Sequence, residues 1–171
     1  MPDIQQILKE VGALLTDSHF VYTSARHGSV YINKDALYTH TEPTSAVGKM
    51  FAEKYKDADI DVVVGPAMGG IILSQWVAYH LTQLKGKEIL SVYAEKDAHG
   101  NLTFTRGYDK QVAGKNVLIV EDITNTGGST KKVIKAVQEA QGNIVAACVM
   151  INRDPEGVTS KTMGEIGRAH V

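Results

Sequence analysis

Only one cysteine occurs among the 171 residues, so no disulfide can form within the chain. That residue, Cys148, lies in the apolar run IVAACVM, the setting of a small core residue rather than of a nucleophile. Net charge is nearly absent. The 18 basic and 19 acidic side chains leave −1, and their mixing along the chain argues against broad electrostatic capture of nucleic acid. Missing too is any apolar run long enough to enter a membrane, and the opening MPDIQQILKE carries acids and amides where an export signal would be apolar. The expectation is a cytoplasmic protein without nucleic-acid or membrane partners. Internal repeats, low-complexity tracts and linkers are also absent. The chain is long enough for one sizeable core and too short for two ordinary domains. Its 43% hydrophobic and 22% charged residues give the balance of a soluble globular protein.

What the chain does contain is alternation. Ile4, Ile7, Leu8, Val11, Leu14 and Leu15 recur at helical spacing and predict a helix over 4–15, with Asp3 as its N-cap. Two β-rich patches, 20–23 and 30–33, lie around a polar turn containing Gly28, and 42–55 reads as a second helix with Pro43 in its first turn. DVVVG (61–65) and NVLIVE (116–121) are short continuous apolar runs, the mark of strands buried on both faces. EILSVYA (88–94), LTFTRG (102–107) and NIVAACVMI (143–151) read as further strands, with helical patterns at 71–84 and 130–141. Helices of about 12 residues between buried strands imply right-handed crossovers and a parallel sheet covered on both sides. The expectation is therefore an α/β fold with a doubly wound parallel sheet and flanking helices. It would form one domain, with a helix-and-hairpin hood over 1–40, a core over 41–157 and a loose tail over 158–171. EKDAHGN (95–101) has no apolar anchor and is expected to be a mobile loop.

The chemistry concentrates in VLIVEDITNTGGST (117–130). In an open parallel sheet, ligands sit beyond the carboxyl ends of the strands. Glu121 and Asp122 should therefore project into a cleft there. TNTGGST then brings backbone N–H groups, hydroxyls and glycines to a helix N-terminus, which favours a phosphate. Neither a Lys-Ser/Thr pair after the glycines nor GxGxxG is present. The plain alternative is a strand-to-helix turn with a solvated acidic strand end. Acids beside a phosphate make sense when they accept hydrogen bonds from neutral hydroxyls, so the two halves together describe a cradle for ribose 5-phosphate.

EDITNTGGS closely resembles the phosphoribosyl-pyrophosphate (PRPP) signature of the type I phosphoribosyltransferases. The resemblance implies that Glu121 and Asp122 receive the ribose hydroxyls. It gives Thr124, Asn125, Thr126, Gly127, Gly128, Ser129 and Thr130 to the 5-phosphate. Other segments are similar to the orotate branch. TSARHGSVYINKDAL resembles its base-pocket segment, with Ala25 for the usual glycine and Gly28 for the usual serine, and implies base contacts from Ser24 and Arg26. VVVGPAMGGI resembles the pyrophosphate loop, which implies Ala67, Met68 and Gly69.

VMINRDPEG resembles the strand end whose arginine meets the orotate carboxylate, here Arg153. A guanidinium just past a buried strand also suits bidentate carboxylate binding, against the plain reading of a surface arginine paired with Asp154 or Glu156. YAEKDAHGNLTFTRGY resembles the catalytic loop and its strands. The usual Arg-Lys pair and following lysine are replaced by Tyr93, Ala94 and Asp97, so Lys96, His99 and Arg106 become the catalytic candidates beside Asp122.

The family implies magnesium bound mainly through PRPP, pyrophosphate and water without a dedicated protein cage. It also implies a homodimer and transfer of phosphoribosyl from PRPP to orotate. A purine or other base, a non-catalytic PRPP-binding regulator and an enzyme shortened at VTSKTMGEIGRAHV stay open at this point.

Overall fold

Asp3 caps the first helix, its carboxylate accepting a hydrogen bond from the Gln6 amide at 2.7 Å. That helix, α1 (Ile4–Glu10), stops sooner than the apolar spacing predicts. Gly12 sits at φ 68, the Gly12 amide donates to the Lys9 carbonyl at 3.0 Å and the Ala13 amide to the Leu8 carbonyl at 2.8 Å. This pair of bonds is the Schellman closure that a left-handed glycine allows. Leu14 and Leu15 are thereby released to form a strand.

The computed structural model describes residues 3–16, 19–21, 27–163 and 167–170. The chain divides into two units, 1–47 and 48–171. The division falls inside a helix rather than at the expected hood boundary of residue 40. In the first unit, α1 is followed by β1 (Leu14–Leu15), β2 (Phe20–Val21), β3 (His27–Gly28), β4 (Tyr31–Ile32), α2 (Lys34–Tyr38) and the start of α3 (Thr41–Lys54). Among the described residues, the two β patches do not pair with each other. β2 pairs antiparallel with β3, and β4 with β1, as nested ladders.

The second unit is built on β5 (Val62–Pro66), α4 (Gly69–Lys85), β6 (Leu90–Lys96), β7 (Leu102–Thr103), α5 (Tyr108–Val112), β8 (Asn116–Thr124), α6 (Gly128–Glu139), β9 (Asn143–Asn152), a 3-10 turn (Lys161–Met163) and β10 (Gly167–His170). Its six-stranded sheet runs β10-β9-β8-β5-β6-β7, parallel except for β7, which pairs antiparallel with β6. Val62, Val64, Val117 and Ile119 pack on one face with Val133, Ile134 and Val137 of α6. Strand alternation gives Val63, Leu118 and Val120 to the opposite face. α4 buries Leu73, Val77 and Leu81 completely.

The tail departs from expectation. Val158 and Met163 belong to the core cluster under α6, and β10 pairs parallel with β9. Two apolar side chains bury there, so the segment docks rather than hanging loose. Cys148, 1% exposed, is a core residue as expected, and burial pushes its thiol up to about 12. A thiol reagent should therefore label the native protein only as fast as it unfolds. Rapid labelling of the folded chain would contradict this packing.

Candidate active site

The strand order places the site. β5 lies between β6 and β8, and the chain leaves β5 first toward β6 and returns on the other side as β8. Such a reversal opens a crevice beyond the carboxyl ends of the two central strands. Both strands feed helices across it, β5 through Pro66–Met68 into α4 and β8 through Asn125–Gly127 into α6.

These helix starts are built alike. Neither α4 nor α6 has a side-chain cap or an acid in its first turn. The other described helices have one or the other: Asp3 caps α1, and Asp35, Glu42 and Asp109 stand in the first turns of α2, α3 and α5. Two positive dipole ends without a side-chain cap or a first-turn acid thus stand at the crevice, an arrangement that suits anions.

Local sequence enforces both turns. At the first, a Cβ on Gly65 would strike the Gly70 carbonyl oxygen and come within 2.8 Å of the Gly70 Cα. The strand end and helix start therefore approach backbone to backbone. The Ala67 amide donates to the Ala94 carbonyl at 2.8 Å, and the Ala67–Met68 peptide is cis. At the second turn, Gly127 stands at φ 74 with its Cα against the Met163 methyl. Its amide donates to the Thr124 hydroxyl at 3.0 Å. Asn125, Thr126, Gly128 and Ser129 are exposed, whereas Thr124 and Thr130 are buried.

The acid pair is placed differently from the expectation. β8 continues through Asp122 to Thr124, so the two acids lie inside the strand and alternate across the sheet. Glu121, 4% exposed, takes the α6 side and accepts a hydrogen bond from the Thr130 hydroxyl. Asp122, also 4% exposed, takes the opposite side and accepts from the Ile123 amide at 2.7 Å. One carboxylate thus braces the first turn of α6, and the two do not form a single side-by-side pair.

Arg153 follows directly on β9, and its amide donates to the Thr124 carbonyl at 2.9 Å, which sets it beside the turn from β8 into α6. Ser24 and Arg26 lie outside the described residues. Among the described residues, no three or more His, Cys, Asp and Glu side chains group as a metal site.

This architecture has counterparts. The family described as "Phosphoribosyl transferase domain" matches residues 33–164. The chain belongs to the type I phosphoribosyltransferase family. An orotate phosphoribosyltransferase of Thermotoga maritima is 37% identical over 150 residues, covering 88% of this chain and 75% of that one. One from a Thermoanaerobacter species is 34% identical over 151 residues, with the same coverage. The crystal structure of the Mycobacterium tuberculosis orotate phosphoribosyltransferase with inorganic phosphate shares the fold at a TM-score of 0.77 and 20% identity, covering 98% of this chain and 94% of that one. The adenine phosphoribosyltransferase of Saccharomyces cerevisiae shares it at 0.68 and 18% identity, covering 97% and 98%.

In this phosphoribosyltransferase the expected catalytic loop is a closed hairpin tip. The Asp97 carboxylate accepts from the amides of His99 and Asn101 at 2.8 and 2.9 Å, and the Asn101 amide hydrogen bond leads the forces that hold its carboxyl below the usual range. Lys96 ends β6 opposite Leu102, His99 is in the tip, and Arg106 follows the short β7. All three are exposed and stand on an element separate from the acids. Lys132 of α6 donates to the Gly100 carbonyl at 2.6 Å, tying the tip to that helix. Neither the Lys132 contact nor the bracing role of Thr130 follows from the loop motif itself. The Lys131-Lys132 doublet so soon after the glycines was the available signal.

Proposed function

We infer that the protein transfers the 5-phosphoribosyl group of PRPP to orotate, giving orotidine 5′-monophosphate and pyrophosphate. The observation that carries this reading is the pair of uncapped helix starts facing one crevice with Asp122 at its edge. One anion site suits a 5-phosphate and the other a pyrophosphate, and a ribose spans the interval between them. The α6 start, with Thr126, Gly128 and Ser129 exposed, is assigned to the 5-phosphate. The α4 start, with Ala67, Met68 and Gly69, is assigned to pyrophosphate.

Departure of pyrophosphate leaves positive charge on the ribose ring. No protein nucleophile is needed for such a step, and catalysis rests on positioning and on charges aimed at the developing charge. Asp122 orients the sugar and faces the cationic ring, while Lys96, His99 and Arg106 meet the leaving group. Magnesium is the assigned companion ion, carried mainly by PRPP oxygens and water, as this hard cation keeps several waters. Asp122 would be its protein-side oxygen donor, and when bound the ion supplies positive charge against the leaving pyrophosphate.

The names of the relatives and the place of Arg153 at the ligand edge support orotate as the base, its carboxylate meeting the guanidinium. The test offers orotate, uracil, hypoxanthine, adenine and xanthine separately with PRPP and magnesium. Pyrophosphate release is expected with orotate alone. Release with a purine moves the protein to another base, and release with none leaves a PRPP-binding regulator.

We also propose a homodimer. Met68, Ile72 and Tyr79 leave 82%, 39% and 50% of their surface exposed along one side of α4, which supports a second copy packing beside the pyrophosphate turn. Sedimentation should show a dimer that Ile72→Glu converts to monomer. A monomeric parent protein removes this assignment.

A further inference from the structure

Arg106 has a backbone that a side-chain-bearing residue rarely adopts, φ 59, and Gly107 follows at φ 78. A left-handed arginine persists only where its surroundings fix it. From one side the turn is held by Tyr108, whose amide donates to the Thr105 carbonyl at 3.0 Å and whose ring meets Tyr93 edge-on at 5.3 Å. From the other it is held by a single carboxylate oxygen. Oε1 of Glu95 accepts the Thr105 hydroxyl and stands 3.6 Å from Nε of Arg106.

An acid at this position is unexpected in a hairpin assigned to a leaving pyrophosphate, because it would repel the ligand. Its geometry gives it a different task. The pair is open to solvent, with Arg106 60% and Glu95 29% exposed, so each partner can be exchanged at low cost. Pyrophosphate carries several charges and accepts a guanidinium fork in two places, whereas Glu95 stands 3.6 Å from Nε of the arginine.

Resting on the phosphoribosyl-transfer reading, we propose that Glu95 is a positioning residue. It stores Arg106 at the base of the hairpin while the site is empty and yields it to the pyrophosphate group when the site fills. No covalent step is involved, only an exchange of one anionic partner for another. The storage is competitive, so Glu95 lowers pyrophosphate affinity through Arg106 and only through Arg106.

The test is a double-mutant cycle read by calorimetric titration of inorganic pyrophosphate with magnesium, in the full chain and without any base. Glu95→Gln is isosteric and should bind pyrophosphate about threefold more tightly than the parent, the scale of an exposed ion pair. Arg106→Gln should bind more weakly, and adding Glu95→Gln to it should change nothing further. Arg106→Gly relieves the strained backbone and serves as the second arm should the glutamine variant lose stability. Unchanged or weaker binding by Glu95→Gln overturns the proposal. So does an equal gain in the arginine-less background, which would make Glu95 a general repulsive charge. Failure of the orotate reading would appear separately, as absent turnover with an intact cycle.

Discussion

Gly65→Ala is expected to abolish measurable phosphoribosyl transfer, with a loss of at least a hundredfold, and to lower stability by several kcal/mol. The added methyl has nowhere to go. It would strike the Gly70 carbonyl oxygen and come within 2.8 Å of the Gly70 Cα, and these are backbone atoms of the first turn of α4 that cannot rotate aside. Overpacking of this kind costs about 1–3 kcal/mol, and more where the obstacle is rigid. The catalytic loss comes from relaxation, because the start of α4 must move off β5 and carry its N–H groups with it. A misplacement of about 1 Å can remove about a hundredfold of rate.

Gly86→Ala is the control. Gly86 ends α4 at φ 60 with nothing within 4 Å of its would-be Cβ, so it should cost about 1 kcal/mol of backbone strain and spare turnover. Thermal melts and steady-state rates on the two variants separate collision from strain. A fully active Gly65→Ala would mean that the turn from β5 into α4, proposed to hold pyrophosphate, tolerates displacement.

The sheet was legible because its strands are nearly continuous apolar runs: β5 and β9 begin and end within one residue of the boundaries that their sequences predict. The turn from β8 into α6 was legible because glycine, hydroxyl and acid occur together in one short stretch. What the sequence hid was set by backbone closure and distant partners. Leu14 and Leu15 fit a helical spacing, yet Gly12 closes α1 before they are reached. LTFTRG has strand composition, but only Leu102 and Thr103 pair, because Arg106 and Gly107 turn left-handed and open α5. The end of α6 is similar. Gln141 rather than Gly142 takes the left-handed position, at φ 60, and Gly142 is required for space, since a Cβ there would press within 2.8 Å of Val112 and Val137. Val158 and Met163 are too widely spaced to show periodicity, and only the completed core under α6 gives them a partner. For the site the hardest feature was the extent of β8. The apolar run ends at Val120, but the ladder with β9 continues through Glu121↔Val149 to Thr124↔Asn152.

That extension separates the roles of the two acids and makes Asp122→Asn the sharper test of the chemistry. The substitution keeps size and keeps an oxygen to accept the Ile123 amide at 2.7 Å, so the melting midpoint should scarcely move. It removes the charge proposed to face the ribose as pyrophosphate departs, and turnover at saturating PRPP should fall at least tenfold, or about 1.4 kcal/mol in the barrier. Glu121→Gln should leave a different signature. Glu121 braces Thr130 in the first turn of α6, and glutamine can still accept that hydroxyl. Its loss should therefore appear chiefly as a raised KM for PRPP, with a smaller change in kcat. Equal falls in kcat for both variants would mean that both carboxylates reach the sugar despite their opposite faces on β8. An unchanged rate for Asp122→Asn would remove that carboxylate from the mechanism and leave catalysis to the hairpin cations alone.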